Sequence, residues 1–109
     1  MRTYKFELEK YRTPESKIFT GRDRGLQVKN DSGLNNIIEE YDIIEFVIPD
    51  NLFSINPSFF EELFVDIVQK LGKSKFFEKF KFVNLGRYQY QKPLNEAIDR
   101  ILRENTALD

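Results

Sequence analysis

A single small α/β domain is what this sequence predicts, and three observations predict it. The nearly continuous apolar run Ile43-Ile44-Glu45-Phe46-Val47-Ile48 is β-prone and closed by Pro49-Asp50, as in a strand covered on both faces. Strand-like and helix-like stretches alternate along the chain, the order of a layered α/β fold. At 109 residues there is length for one core and not for two. We therefore expect residues 1–109 to form one domain with a mixed β-sheet of about four to five strands, an N-terminal hairpin, and about three helices packed on the sheet.

The elements follow in order. Tyr4, Phe6 and Leu8 alternate with charges, the period of two of a half-buried edge strand. Thr13-Pro14-Glu15-Ser16 reads as a turn, and Lys17-Ile18-Phe19-Thr20 as a second short strand stopped by Gly21, pairing with the first as a hairpin or with one neighbour between. Gly21 to Gly33 holds three glycines among polar residues and is the least predictable part of the chain, with no element assigned. Leu34, Ile37, Ile38 and Tyr41 then recur at helical spacing, with Asp31 or Ser32 placed to cap the first turn.

The Ile43–Ile48 run is the central strand. Phe60, Leu63, Phe64, Ile67 and Leu71 form one face of a helix from Pro57 to Leu71, about 22 Å long, with Gly72 at its end. Lys79 to Asn84 alternates again as a strand. A final helix begins at Pro93 and buries Leu94, Ala97, Ile98, Ile101 and Leu102.

Composition excludes much chemistry. Lys plus Arg number 17 against 18 Asp plus Glu, so no global field draws nucleic acid or anionic lipid. The chain has no Cys and no His, which removes disulfides, thiolate nucleophiles, Cys/His zinc sites and imidazole acid–base catalysis. The start Met1-Arg2-Thr3-Tyr4-Lys5 carries no apolar run, and we expect a cytoplasmic, non-enzymatic protein without a cofactor, metal, membrane or nucleic-acid partner.

The segment richest in chemical meaning is Ile55-Asn56-Pro57-Ser58-Phe59-Phe60-Glu61-Glu62, where a central strand feeds an apolar helix. Open α/β sheets carry their functional loops at the carboxyl ends of the strands. Two local geometries compete. Either Asn56 caps the helix with Pro57 at its first position, leaving the Ser58 hydroxyl beside unpaired N–H groups that favour an anion, or Ser58 is itself the cap and Glu61 completes a capping box.

This part of the chain resembles the STAS-like domain family, relatives of sulfate transporter and anti-sigma factor antagonist domains. The resemblance rests on Thr20-Gly21-Arg22 with Gly25, the strand Ile43–Ile48, the run Ser58-Phe59-Phe60-Glu61-Glu62-Leu63, Leu71-Gly72, Phe82-Val83-Asn84, and a closing helix ending near Leu102. It spans Ile18 to Leu102. It implies a regulatory module that binds a protein partner, an ATPase or kinase-like regulator of the GHKL type, on the helix start, with Asn56, Pro57, Ser58, Phe59, Glu61 and Glu62 as contact residues and Ser58 as the phosphorylation position. The antagonists carry Asp-Ser-Ser-Gly at this turn; here Asn56-Pro57-Ser58-Phe59 stands instead, without the acid and the glycine.

A second expectation competes with this one. Gly21, Arg22, Arg24 and Gly25 could cradle an anion or nucleotide, since glycines admit backbone N–H groups and guanidiniums clamp phosphate; together with the Ser58 helix start they would form one pocket. The bland reading is a solvated turn with internal Arg–Asp pairing. Lys73, Lys75, Lys79 and Lys81 around Phe76, Phe77 and Phe80 resemble a single-strand nucleic-acid platform, but core plugs with guarding lysines explain them more simply. Glu61, Glu62 and Asp66 could bind a hard cation, although acids belong in a first helical turn anyway. Tyr88 and Tyr90 could anchor a partner or pack in the core.

Overall fold

The computed structural model describes residues 1–107, with side chains to residue 103. Its strands are β1 (Thr3–Glu7), β2 (Ile18–Phe19), β3 (Ile43–Ile48), β4 (Ser54–Ile55) and β5 (Phe80–Asn84). Its helices are α1 (Arg22–Ser32), α2 (Leu34–Glu40), α3 (Pro57–Lys79) and α4 (Gln91–Ala107). The fold class is α/β, but the sheet differs from the mixed one expected. Every pairing is parallel: β1-β3-β5 form one sheet with β3 central, and β2-β4 form a separate two-stranded ribbon.

The N-terminal hairpin does not form. A 3-10 turn (Leu8–Tyr11) follows β1, and a turn closed by the Ser16 N–H to Thr13 C=O bond at 2.9 Å carries the chain away before β2. Pro14 sits second in that turn and Glu15 third with φ of 67°, a type II arrangement. β1 instead pairs with β3 in the register Phe6↔Phe46, and β5 continues it with Phe46↔Phe82. This lays three phenylalanines across one sheet face. The Phe6 and Phe46 rings stack at 4.9 Å, and Phe64 of α3 meets Phe46 edge-on at 5.4 Å. Each fully buried ring of this kind contributes about 1.5–3 kcal/mol.

Strand order β1-β3-β5 advances in one direction, so right-handed crossovers place all the helices on one side of the sheet. There α3 packs between α1 and α4. Consequently β3 is fully covered on one face only: Ile44, Phe46 and Ile48 are buried under the helices, whereas on the opposite face Ile43 and Glu45 are half-exposed and Val47 alone is buried.

The glycine-rich stretch, the least predictable part of the chain, is a helix, α1. Helix propensity is low there, but Val28 is buried in the core and Gly25 allows the closest approach to α3. Gly33, at φ 67° and ψ 32°, ends α1 in the left-handed conformation and starts α2, so Asp31 and Ser32 lie inside α1 and cap nothing in α2. The long helix also runs past Leu71: α3 kinks at Gly72 and continues to Lys79, which leaves Lys79 outside β5. The last helix starts at Gln91, two residues before Pro93, and keeps the expected buried stripe Leu94, Ala97, Ile98 and Ile101, with Leu102 half-buried.

Candidate functional site

Two parallel strand–helix units stand side by side at one end of the molecule. β2 runs into α1 and β4 into α3, with Ile18 paired to Ser54 and Phe19 to Ile55, and the Asn56 N–H donates to the Phe19 carbonyl at 2.9 Å. The start of α4 joins them, because the Tyr88 hydroxyl donates to the Ile55 carbonyl at 3.3 Å. The free N–H groups of helix starts therefore gather at this end, an arrangement that favours negative charge.

Of the two geometries open at Ser58, the structure adopts the one with Asn56 as cap. Asn56 Oδ1 accepts the Ser58 backbone N–H at 3.0 Å, and Pro57 occupies the first helical position, where its missing N–H costs nothing. Ser58 is half-exposed, and its hydroxyl donates to the same Asn56 oxygen at 2.8 Å. There is no capping box, since Glu61 turns inward instead of back to the cap.

Glu61 is 2% exposed and is met by the Arg22 guanidinium, whose Nη2 donates to both carboxylate oxygens at 2.7 and 3.1 Å. The pair joins the first turns of α1 and α3. Phe59 is wholly buried, its ring tilted against Phe19 at 5.1 Å. Phe59 and Glu61, both expected to contact a partner, thus present no surface, and the contact residues that remain are Asn56, Pro57, Ser58 and Glu62.

Glu62 and Asp66 face Lys29, whose side chain is 9% exposed, at 3.6 and 3.1 Å. Burial pushes the Asp66 carboxyl up, but hydrogen bonds from Asn35 and Lys29, with the Lys29 charge, outweigh it and hold the group below its ordinary value. The three acids considered for a cation therefore each face a positive side chain. The lysine–phenylalanine run is core in part: Phe76 and Phe80 are buried, Lys79 donates to the Tyr41 carbonyl at 2.5 Å, and Lys81 to the Phe77 carbonyl at 3.3 Å.

Two open clefts flank Asn56-Pro57-Ser58. One, of about 670 Å³, is lined by Thr20, Gly21, Arg22, Asp23, Arg24, Gln27 and Ser58. The structure thus brings Arg22, Arg24 and Ser58 to one place, as the pocket expectation required. Gly25 is not part of it; it faces α3, where a Cβ would lie 2.6 Å from the Phe59 carbonyl. Neither arginine pairs with Asp23: Arg22 holds Glu61, and Arg24 donates to the Tyr11 carbonyl and to Gln27 at 2.8 Å. The second cleft, of about 220 Å³, lies between Asn56, Pro57 and Tyr88, Lys92, Pro93, Glu96.

Two residues of this end, Lys92 and Phe53, escaped the sequence reading. Tyr88, a candidate anchor from the sequence, and Lys92 sit in a segment without periodicity, and only the fold brings them beside Asn56. Phe53, at 79% exposure, is three residues before Asn56 and so within about 11 Å of it along the chain; an aromatic just before a strand gave no reason to look outward. Compared with family models, with curated proteins and with solved structures, the chain matches none. Among the described residues, no helix is long and apolar enough to cross a membrane.

Proposed function

We propose that this chain is a non-enzymatic, STAS-like regulatory module that docks a protein partner, an ATPase or kinase-like regulator, on the ridge Asn56-Pro57-Ser58, with Ser58 as a phosphorylation switch. The observation that carries the reading is the position of the Ser58 hydroxyl: half-exposed, in the first turn of α3, between two clefts, and not consumed as a cap. The exposed Phe53 ring supplies an apolar anchor nearby, the kind of side chain that dominates docking energy. A phosphate on Ser58 brings roughly −1.5 to −2 charges to a helix start, which favours them within the monomer. Against an apolar or acidic partner surface the same charge is repelled, so the modified chain keeps its fold and releases the partner.

The experiment is affinity capture from the native host with wild type, Ser58→Ala and Ser58→Asp. Recovery of one partner by wild type and Ser58→Ala but not by Ser58→Asp supports the switch. Equal recovery by all three removes the switch and leaves a constitutive binder.

A specific observation favours a second reading, an anion or nucleotide site: Arg22, Arg24 and Ser58 line one cleft. The present bonds of Arg22 to Glu61 and of Arg24 to Tyr11 would compete with such a ligand. Phosphate and a nucleotide panel should then raise the melting temperature, as any ligand selective for the folded state must. No shift across the panel sinks it.

A further inference from the structure

The main sheet stops at β5, and the direction in which its backbone groups point can be read from the pairing. The Leu85 N–H donates to the Ile48 carbonyl at 2.9 Å, so Lys81, Val83 and Leu85 turn their main-chain groups toward β3. Phe80, Phe82 and Asn84 therefore turn theirs outward. The Phe80 N–H is taken by the Phe76 carbonyl, which leaves the Phe80 C=O, both groups of Phe82 and both of Asn84 along the sheet edge.

Beside that edge lies an apolar groove of about 400 Å³, lined by Phe77, Phe80, Phe82, Tyr90 and Leu94. Tyr90 stacks on Phe82 at 5.4 Å, so the start of α4 forms the roof. Lys81 lines the groove too: its side chain leaves from the other sheet face and bends round the β5 edge, its ammonium donating to the Phe77 carbonyl at 3.3 Å, so the groove borders that edge. Layer widths account for the space. Three helices side by side span about 16–20 Å between outer axes, whereas three strands span about 10 Å. The helical layer is thus wider than the sheet beneath it, and next to β5 room is left under α4.

We propose that this edge accepts an extended peptide segment of a partner protein as a fourth strand, with apolar side chains at alternate positions entering the Phe77–Phe82–Tyr90 groove and an acidic residue meeting Lys81. The unpaired main-chain groups call for a strand, the aromatic lining for alternate apolar residues, and Lys81, the one charged residue lining the groove among the described residues, for a carboxylate. A second copy fits less well, because pairing β5 with β5 would bring another α4 into the same space and no acid to Lys81. The site lies on the far side of α4 from Ser58 chemistry and does not depend on the switch.

The test uses the full chain, ¹⁵N-labelled, with peptides selected on it from a phage-displayed library of random dodecapeptides. Selected peptides should alternate apolar with polar residues, carry acids, and slow hydrogen exchange of the Phe82 and Asn84 amides by tenfold or more. N-methylation of the peptide groups that face β5 should weaken binding roughly tenfold or more, since main-chain hydrogen bonds carry a strand addition. Lys81→Glu, an exposed change, should weaken acidic peptides several-fold and select basic ones instead. Failure to select any binder, protection of other amides, or equal binding of the N-methylated peptide overturns the proposal. So does a dimer in sedimentation that already protects Phe82 and Asn84.

Discussion

Arg22 reaches across from α1 to the buried carboxylate of Glu61 on α3, placing one nitrogen within 2.7 and 3.1 Å of its two oxygens. The pair is unequal: the Arg22 side chain is 56% exposed and that of Glu61 2%. Solvent screens the arginine, so the attraction is modest, but the acid has no other escape from burial. Arg22→Ala should therefore cost about 1–3 kcal/mol of stability, mainly by stranding Glu61. Adding Glu61→Gln to Arg22→Ala should recover part of that loss. Urea unfolding of the two single variants and the double variant checks this; a double variant no more stable than Arg22→Ala refutes it.

Gly25 tests the same helix contact from the backbone side. In a solvated helix, Gly→Ala stabilises by about 1 kcal/mol. Here the added methyl would lie 2.6 Å from the Phe59 carbonyl oxygen and 3.1 Å from Glu62 Cβ, and neither belongs to a flexible chain end. Gly25→Ala should thus lower stability by roughly 1–3 kcal/mol, as overpacking does. A variant as stable as wild type in the same unfolding assay would mean that α1 does not pack as described.

Why α1 escaped the sequence reading is the same physics. Three of its boundary and interior positions, Gly21, Gly25 and Gly33, are glycines and its polar residues outnumber its apolar ones, so propensity and periodicity give no helix signal; packing against α3 overrides them. Where periodicity was strong, as in β3 and in the Leu94-Ala97-Ile98-Ile101 stripe, element and buried face were legible. Pairing partners were not. Nothing in the alternation of Tyr4, Phe6 and Leu8 distinguishes a hairpin strand from one paired in parallel to a strand some 40 residues on. At the candidate site, Asn56 and Ser58 could be found from the Asn-Pro-Ser order, and Arg22 from its glycine neighbours. That Glu61 is Arg22's partner, and hence no surface residue, needed the crossing of α1 and α3.

Asp66 makes stability depend on acid. Its carboxyl is held below the ordinary value of 3.8 in the folded chain by Asn35 and Lys29, so between the two values the unfolded chain binds more protons. Its contribution is complete above pH 3.8 and lost as pH falls through the folded value. Half exposure of the side chain keeps the effect small. Asp66→Asn should be less stable than wild type at neutral pH, with Lys29 left to Glu62 alone, and the gap should close in acid. Unfolding free energies at pH 7 and pH 2.5 measure it; a gap independent of pH would assign the loss to packing.

Asn56 and Ser58 share one oxygen, and separate substitutions divide their roles. Asn56 Oδ1 takes both the Ser58 backbone N–H and its hydroxyl, so Asn56→Ala removes the cap of α3 and should cost about 1 kcal/mol. Ser58→Ala keeps that cap and loses one exposed hydrogen bond, which places the change within about 0.5 kcal/mol of zero. If Ser58 served the fold rather than a partner, the order would reverse. Thermal unfolding of the two variants gives the order directly. With Ser58→Ala as stable as wild type, any loss of partner release on phosphorylation is assigned to the hydroxyl and not to a damaged helix start.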